Sequence, residues 1–339
     1  MRNPKRFAQN YPQPFRIETF KKRNSFLFNA ISILRRAFIL RKLGALRLII
    51  TFGINPILWG IIARFLLRAQ QLSSLRGYIV IRRLMYERHK SPLAKLKDRI
   101  VVFFERCALR LSQRVIVLNG YHRRLLIERH RLNAENQSRL LVVPNNTPTL
   151  PSFPSRKPQS RTISEPYSLL YIGELVRRKG ILTLLNACEL LKTENFPFHL
   201  DVVGYGAFDH VAEEFCRGHS LVDKVTFHGW QEKPLHFMKD ADLLVVPSHI
   251  DTFPNVVLEA LVVGLPVIGS DIPGILDELV FPELLFRPDD PASLVERVGE
   301  IFNKKGAYKK ALELCAERRD SLDFDWIAAF ELVIADCVR

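Results

Sequence analysis

Pro247-Ser248-His249-Ile250-Asp251-Thr252-Phe253-Pro254-Asn255-Val256-Val257-Leu258-Glu259-Ala260-Leu261-Val262-Val263-Gly264 reads as the close of a strand, a polar loop and then a helix. The apolar run Leu243-Leu244-Val245-Val246 stops at Pro247, Pro254 suits entry into a helix and Gly264 its end. Between Val256 and Val263 the only charge is Glu259. A carboxylate on an otherwise apolar helix is costly to bury unless something hydrogen-bonds to it, so a partner is expected. Asp251, eight positions earlier, lies just ahead of the helix N-terminus. Free backbone N–H groups and the helix dipole attract a phosphate there.

On both sides of this stretch strands and helices alternate. Toward the N-terminus strands are expected at 169–173 and 199–203, with an amphipathic helix from Gly180 to about Lys192, and a strand at 266–270 follows the central helix. The first half shows a strand at 46–52, a helix at 56–69, a strand at 78–81, a helix at 101–111, a strand at 114–118, a helix at 121–131 and a strand at 140–143. Between Pro144 and Pro166 six prolines stand among Ser, Thr and Arg without an apolar period, which marks a linker. The expected architecture is α/β, two doubly wound domains facing a central cleft. Their expected limits are 1–148, a linker at 149–166 and 167–323, with a terminal helix at 324–339 crossing back to the first domain.

Several short motifs occur in a fixed order. Met85-Tyr86-Glu87-Arg88-His89 and Pro144-Asn145-Asn146 are followed by Gly173-Glu174 leading to Lys179-Gly180, then Gly204-Tyr205-Gly206, then Val225 to Trp230, then Asp251 with Glu259, then Asp271 to Glu278. Together they resemble the retaining family 4 glycosyltransferases, whose fold is GT-B, with two Rossmann-like domains. The resemblance is strong over about 169–294 and weaker over 46–148. It implies that Asp251 binds the donor sugar, that Glu259 holds the ribose, and that the helix N-terminus between them receives the diphosphate. Lys179 is implied to neutralise the leaving group, and His89 to lie near the reacting sugar. The donor-binding set implied is Gly173, Arg178, Gly204, Gly206, Phe253, Asn255, Val256 and Glu259.

Some positions depart from the pattern. Asp251 is one methylene shorter than the family's usual Glu, and Pro254 offers no N–H where Gly is common. Glu174 stands where an Arg helps to clasp the diphosphate, so Arg177 or Arg178 is the candidate substitute. Pro273 replaces a Gly, and Asp277 replaces a Glu with Glu278 beside it. Residues 1–24 show no Gly-rich turn after an apolar strand, so relative to the family the first domain looks short at its start, lacking its first strand, or else the true start lies upstream of Met1.

Charge divides the chain. Residues 1–165 hold 33 Lys and Arg against 7 Asp and Glu, a net +26, while residues 166–339 hold 17 against 28, a net −11. Such asymmetry points to a polyanion facing the first half, and the anionic surface of a membrane fits better than nucleic acid, for which no motif is present. Residues 25–48 alternate apolar clusters with basic pairs at helical spacing, as a basic amphipathic helix does. The uncharged run from Leu48 to Ala63 is broken by Asn55-Pro56 and falls short of the ~20 residues that span a bilayer. The five cysteines are odd in number and scattered, with no Cys-x-x-Cys pair, which argues for reduced thiols in a cytosolic setting and against a zinc site.

The resemblance therefore implies a retaining, metal-independent glycosyltransferase. It would move a sugar from a UDP- or GDP-linked donor to a glycan or lipid-linked acceptor, as in cell-surface polysaccharide or lipopolysaccharide biosynthesis. It needs no cofactor, the nucleotide-sugar being a substrate, and its expected place is the cytoplasm, peripheral on the inner face of the plasma membrane. The alternative is a degenerate, inactive member acting as a binding or scaffold partner, which the short start and Glu174 favour.

Overall fold

The computed structural model describes residues 48–52, 60–61, 64–65, 68, 70–75, 92–145, 163–322 and 326–338. They form two parallel sheets. The first has the order β1 (Leu48–Phe52), β2 (Gln70–Leu75), β3 (Arg114–Val117), β4 (Leu140–Val142). Helix α1 (Pro92–Leu111) leads into β3, and α2 (Gly120–His130) and α3 (Ala134–Ser138) connect β3 to β4. His89, the strand expected at 78–81 and the basic helix expected at 25–48 lie outside the described residues.

Two elements of this domain differ from the sequence reading. Helix α1 starts at Pro92, well ahead of the expected 101. Strand β2 has the sequence Gln-Gln-Leu-Ser-Ser-Leu, without the apolar run expected of a buried strand, and no local pattern announces it. It is nonetheless buried from Gln71 onward, with Ser73 at the centre of a group of polar side chains drawn from β1, β2 and the end of α1. The Ser73 hydroxyl lies 3.1 Å from Thr51 Oγ1 and 2.7 Å from Ser112 Oγ, and Gln71 Nε2 donates to it at 3.2 Å.

The second sheet comprises β5 (Tyr167–Ile172), β6 (Phe198–Val203), β7 (Val225–Phe227), β8 (Leu243–Val246), β9 (Val267–Ser270) and β10 (Leu285–Phe286). Its spatial order is β10-β9-β8-β5-β6-β7. The chain winds outward from β5 through β6 to β7, then returns to pair β8 on the other side of β5, with Leu169 opposite Leu243. Between β5 and β8 the winding reverses, the switch point at which ligands of such sheets bind beyond the strands' carboxyl ends. Around the sheet lie α4 (Ile181–Thr193), α5 (Asp209–Gly218), α6 (Phe237–Asp240), α7 (Asn255–Val263), α8 (Pro273–Leu276), α9 (Pro291–Asn303) and α10 (Ala307–Ser321).

Helix α7 is bounded as its sequence suggests, by Pro254 at the N-cap and by Gly264, left-handed at φ 73°, at the C-cap. Val257, Leu258, Ala260, Leu261 and Val263 bury its inner face in the domain core. The last helix, α11 (Trp326–Val338), leaves the second domain and packs on β2. Phe330, Val333 and Cys337 join Leu72, Ile116 and Val143 in one apolar cluster. Arg114 closes its edge with an ion pair to Asp336 at 2.6 Å.

Candidate active site

The crevice between β5 and β8 holds the chemistry. After β5 the chain runs through Gly173, Glu174 and Leu175 into the short turn Arg177–Lys179, and Gly180 then admits α4. Gly180 has φ 70°, and a β-carbon there would meet Pro247 O at 1.7 Å, so only Gly lets this turn lie against the end of β8. The two loops are then tied together, His249 N donating to Arg178 O at 2.9 Å and Ile250 N to the same oxygen at 3.3 Å. This zipper brings Lys179 to Asp251, and their side chains form an ion pair whose members are 20% and 12% exposed. Asp251 Oδ1 also accepts from Thr252 N at 2.9 Å. Sequence separation hid this pairing; the reversal of the sheet creates it.

Glu174 and Arg178 form a second ion pair at 2.6 Å, four residues apart on the loop's outer side. The one Arg placed in the donor-binding set is thus engaged by the carboxylate that stands where the family has its own Arg. Phe253 is buried, Asn255 is exposed at the start of α7, and Val256 and Glu259 are half-buried on it. Opposite, Gly204 at φ 141° would drive a β-carbon to within 1.8 Å of Gly173 O, so the loops after β5 and β6 also touch backbone to backbone. Gly206 N donates to Asp209 Oδ1 at 2.7 Å. Gly204 N donates to Gly229 O at 2.8 Å, which draws the β6 and β7 loops together and leaves Tyr205 and Trp230 on their rims, 60% and 63% exposed. Trp230 is therefore not a packing residue.

The sequence reading missed two contacts that the first domain makes with the central loop and helix. Asn119 caps α2, its Oδ1 accepting from His122 N at 2.7 Å, and its Nδ2 donates across the cleft to Thr252 O at 2.6 Å. The cap is legible as Asn before Gly after a strand, but its second bond joins residues 133 apart and leaves no local trace. Asn145 Nδ2 likewise reaches Asn255 Oδ1 at 2.8 Å. Glu278 is fully buried within electrostatic reach of Asp251 and Lys179. Asp277 is half-buried between Arg318 and Arg124, burial pushing its carboxyl up and both guanidiniums pulling it down. His249 meets the Thr183 hydroxyl at 2.8 Å, and burial pushes its imidazole down. Among the described residues no group of three His, Cys, Asp or Glu is placed to hold a metal ion.

Comparison with known proteins gives this geometry a family. The profile of the glycosyl transferases group 1 matches residues 153–318. The second domain belongs to the group 1 glycosyl transferases. The glycogen synthase of Mycobacterium tuberculosis is 28% identical over 178 residues, 51% of this chain and 42% of that relative, so the match spans less than half of the relative's length. Among solved structures the sucrose-phosphate synthase of Thermosynechococcus elongatus superposes with a TM-score of 0.73 at 23% identity, covering 94% of this chain and 81% of that one. The Anabaena protein HepE in complex with UDP and glucose gives 0.69 at 18%, covering 93% and 83%. These likenesses reach across both sheets, and the fold is GT-B.

Proposed function

We propose that this chain transfers a sugar from a UDP- or GDP-linked donor to a glycan or lipid-linked acceptor, with retention at the anomeric carbon. The observation that carries the reading is the Lys179–Asp251 pair, set where the winding reverses and directly ahead of the first turn of α7. There a leaving diphosphate meets an ammonium and the positive end of a helix, and neutralising it is the electrostatic work the reaction requires. Asp251 accepts from the sugar hydroxyls once Lys179 turns to the phosphates, Glu259 holds the ribose, and the exposed rings of Tyr205 and Trp230 offer stacking surfaces for the base. The acceptor oxygen bonds to the anomeric carbon on the face the phosphate leaves, and its proton passes to the departing phosphate oxygen. HepE's complex with UDP and glucose supports a nucleotide-sugar donor. Titrating the chain with UDP-, GDP- and ADP-sugars while following its melting temperature tests the reading, and NMR of the product reports the anomeric outcome. No shift with any donor, or an inverted product, would sink it.

The acceptor side faces a membrane in this reading. On α1, Leu96, Ile100 and Phe103 form one helical stripe and are 53%, 45% and 60% exposed. Arg99, Arg106 and Arg110 stand exposed beside them. An apolar stripe edged by arginines, on the half of the chain that carries +26, fits the head-group layer of an anionic bilayer. No described helix is long and apolar enough to cross a membrane. The Glu174–Arg178 pair favours a second reading, a nucleotide-binding member without turnover. Donor binding without transfer or hydrolysis is the result that would select it.

A further inference from the structure

Glu278 follows α8 and exposes no surface, and among the described residues neither of its carboxyl oxygens has a hydrogen-bond partner. Its position is fixed by backbone contacts. Gly274 lies so close to the central loop that a β-carbon would strike Asp251 O at 2.0 Å, which sets α8 against the loop bearing Asp251. From the other side Arg318 Nε donates to the Glu278 carbonyl oxygen at 2.8 Å, and its guanidinium also donates to the Asp277 carbonyl oxygen. The next residue, Leu279, is buried in the core. A dry, unpartnered carboxylate is costly, so this group carries its proton at neutral pH. Burial raises it most and Asp251 adds to the effect, while Lys179 and Arg318 pull it back and Asp277 adds a little more. The result is a buried acid with a proton to donate and no acceptor in the resting arrangement.

The arriving donor changes that balance. Lys179 cannot serve Asp251 and a diphosphate equally, and as it turns to the phosphates Asp251 keeps only the Thr252 N–H. A largely buried carboxylate stripped of its cation needs another donor. We infer that Glu278 is a positioning residue that takes the place of Lys179: its protonated carboxyl donates to Asp251 once the diphosphate has drawn the ammonium away, and so holds Asp251 ready for the sugar. This rests on the proposed function. The charged groups facing Glu278 are Asp251 and Lys179 from the β8 and β5 loops, Arg318 from α10 and the adjacent Asp277. When Glu278 ionises at alkaline pH it becomes a second anion bidding for Lys179, and donor affinity falls.

The experiment uses the full chain and titrates UDP, GDP and ADP, each beside its glucose conjugate, from neutral to alkaline pH. In wild type, affinity for the nucleotide that binds is expected to fall about tenfold per pH unit once Glu278 ionises. Glu278→Gln replaces the O–H donor by an N–H and keeps the shape, so it should match wild type at neutral pH and lose the alkaline fall. Glu278→Leu should bind the free nucleoside diphosphate as wild type does, which shows that it folds, yet lose about tenfold on the sugar conjugate, roughly one good hydrogen bond. Parallel pH profiles for wild type and Glu278→Gln, or an unchanged preference for the conjugate in Glu278→Leu, overturn the inference while leaving the proposed function standing. Failure of wild type to bind any of the six compounds overturns both.

Discussion

Lys179, Asp251 and Glu259 each carry a charge that the fold alone does not require, and their removal should separate cleanly in kinetics. Lys179→Ala is expected to lower kcat on the order of 10²- to 10³-fold, the loss seen when one preorganised group facing transition-state charge is deleted. Asp251→Asn should lower turnover while leaving affinity for the free nucleotide in place, and Glu259→Gln should weaken nucleotide binding itself. Initial rates set against nucleotide affinity check all three, and a Glu259→Gln enzyme within about twofold of wild type would refute its ribose role. Glu174 and Arg178 make a second test. Because Glu174 holds Arg178 at 2.6 Å, Glu174→Gln should free the guanidinium and tighten donor binding, and Arg178→Ala should cancel that gain. If both changes are silent in a donor titration, the diphosphate does not pass over this loop. At this scale the sequence shows which side chains are chemically out of place, such as Glu259 on an apolar helix. It cannot show Asn119 reaching Thr252 or Gly274 pressed against Asp251, since those contacts depend on how two loops and two domains meet.

Elements carry the constraints that hold these residues in place. Helices α1 and α2 are pinned by His130 Nε2 and Glu105 Oε2 at 2.7 Å, with side chains 3% and 4% exposed. His130→Ala leaves Glu105 buried without its partner and should cost about 3–5 kcal/mol in denaturant unfolding, and adding Glu105→Leu should recover much of it. His122, in the first turn of α2, is buried, and burial pushes its imidazole down to about 4 from 6.5. The unfolded chain binds that proton more readily than the native one, so stability is whole above pH 6.5 and drains as pH falls toward about 4. The loss reaches about 3 kcal/mol, and His122→Gln should flatten the acid limb of melting temperature against pH. Element boundaries were most legible where Gly and Pro force them, as at Pro254 and Gly264 around α7. They were least legible in β2, where a run of Ser and Gln looks solvated until Ser73 is seen bonded to Thr51 and Ser112.

Over the whole molecule the charge division makes a prediction about place. At about 1 kcal/mol per Lys or Arg close to an anionic surface, the few exposed arginines on α1 should give measurable binding that high salt weakens. Sedimentation with phosphatidylserine-containing against neutral vesicles checks this, and Phe103→Glu in the stripe should abolish it. Equal binding to both vesicles would remove the membrane from the account. The two-domain plan was readable from strand and helix alternation and a Pro-rich break, but the crevice itself follows from strand order, which no local pattern encodes. The return of α11 to the first sheet bears on how the molecule is made. Leu72, Ile116 and Val143 leave the ribosome well before Phe330 and Val333, which cover them and arrive roughly 190 to 260 residues later, a wait of roughly 10–50 s at ordinary synthesis rates. The second domain can finish folding while the first is still missing its lid, so the order of completion runs against the order of synthesis. A chain truncated ahead of α11 would keep its second sheet intact beside a first sheet whose apolar face stays uncovered.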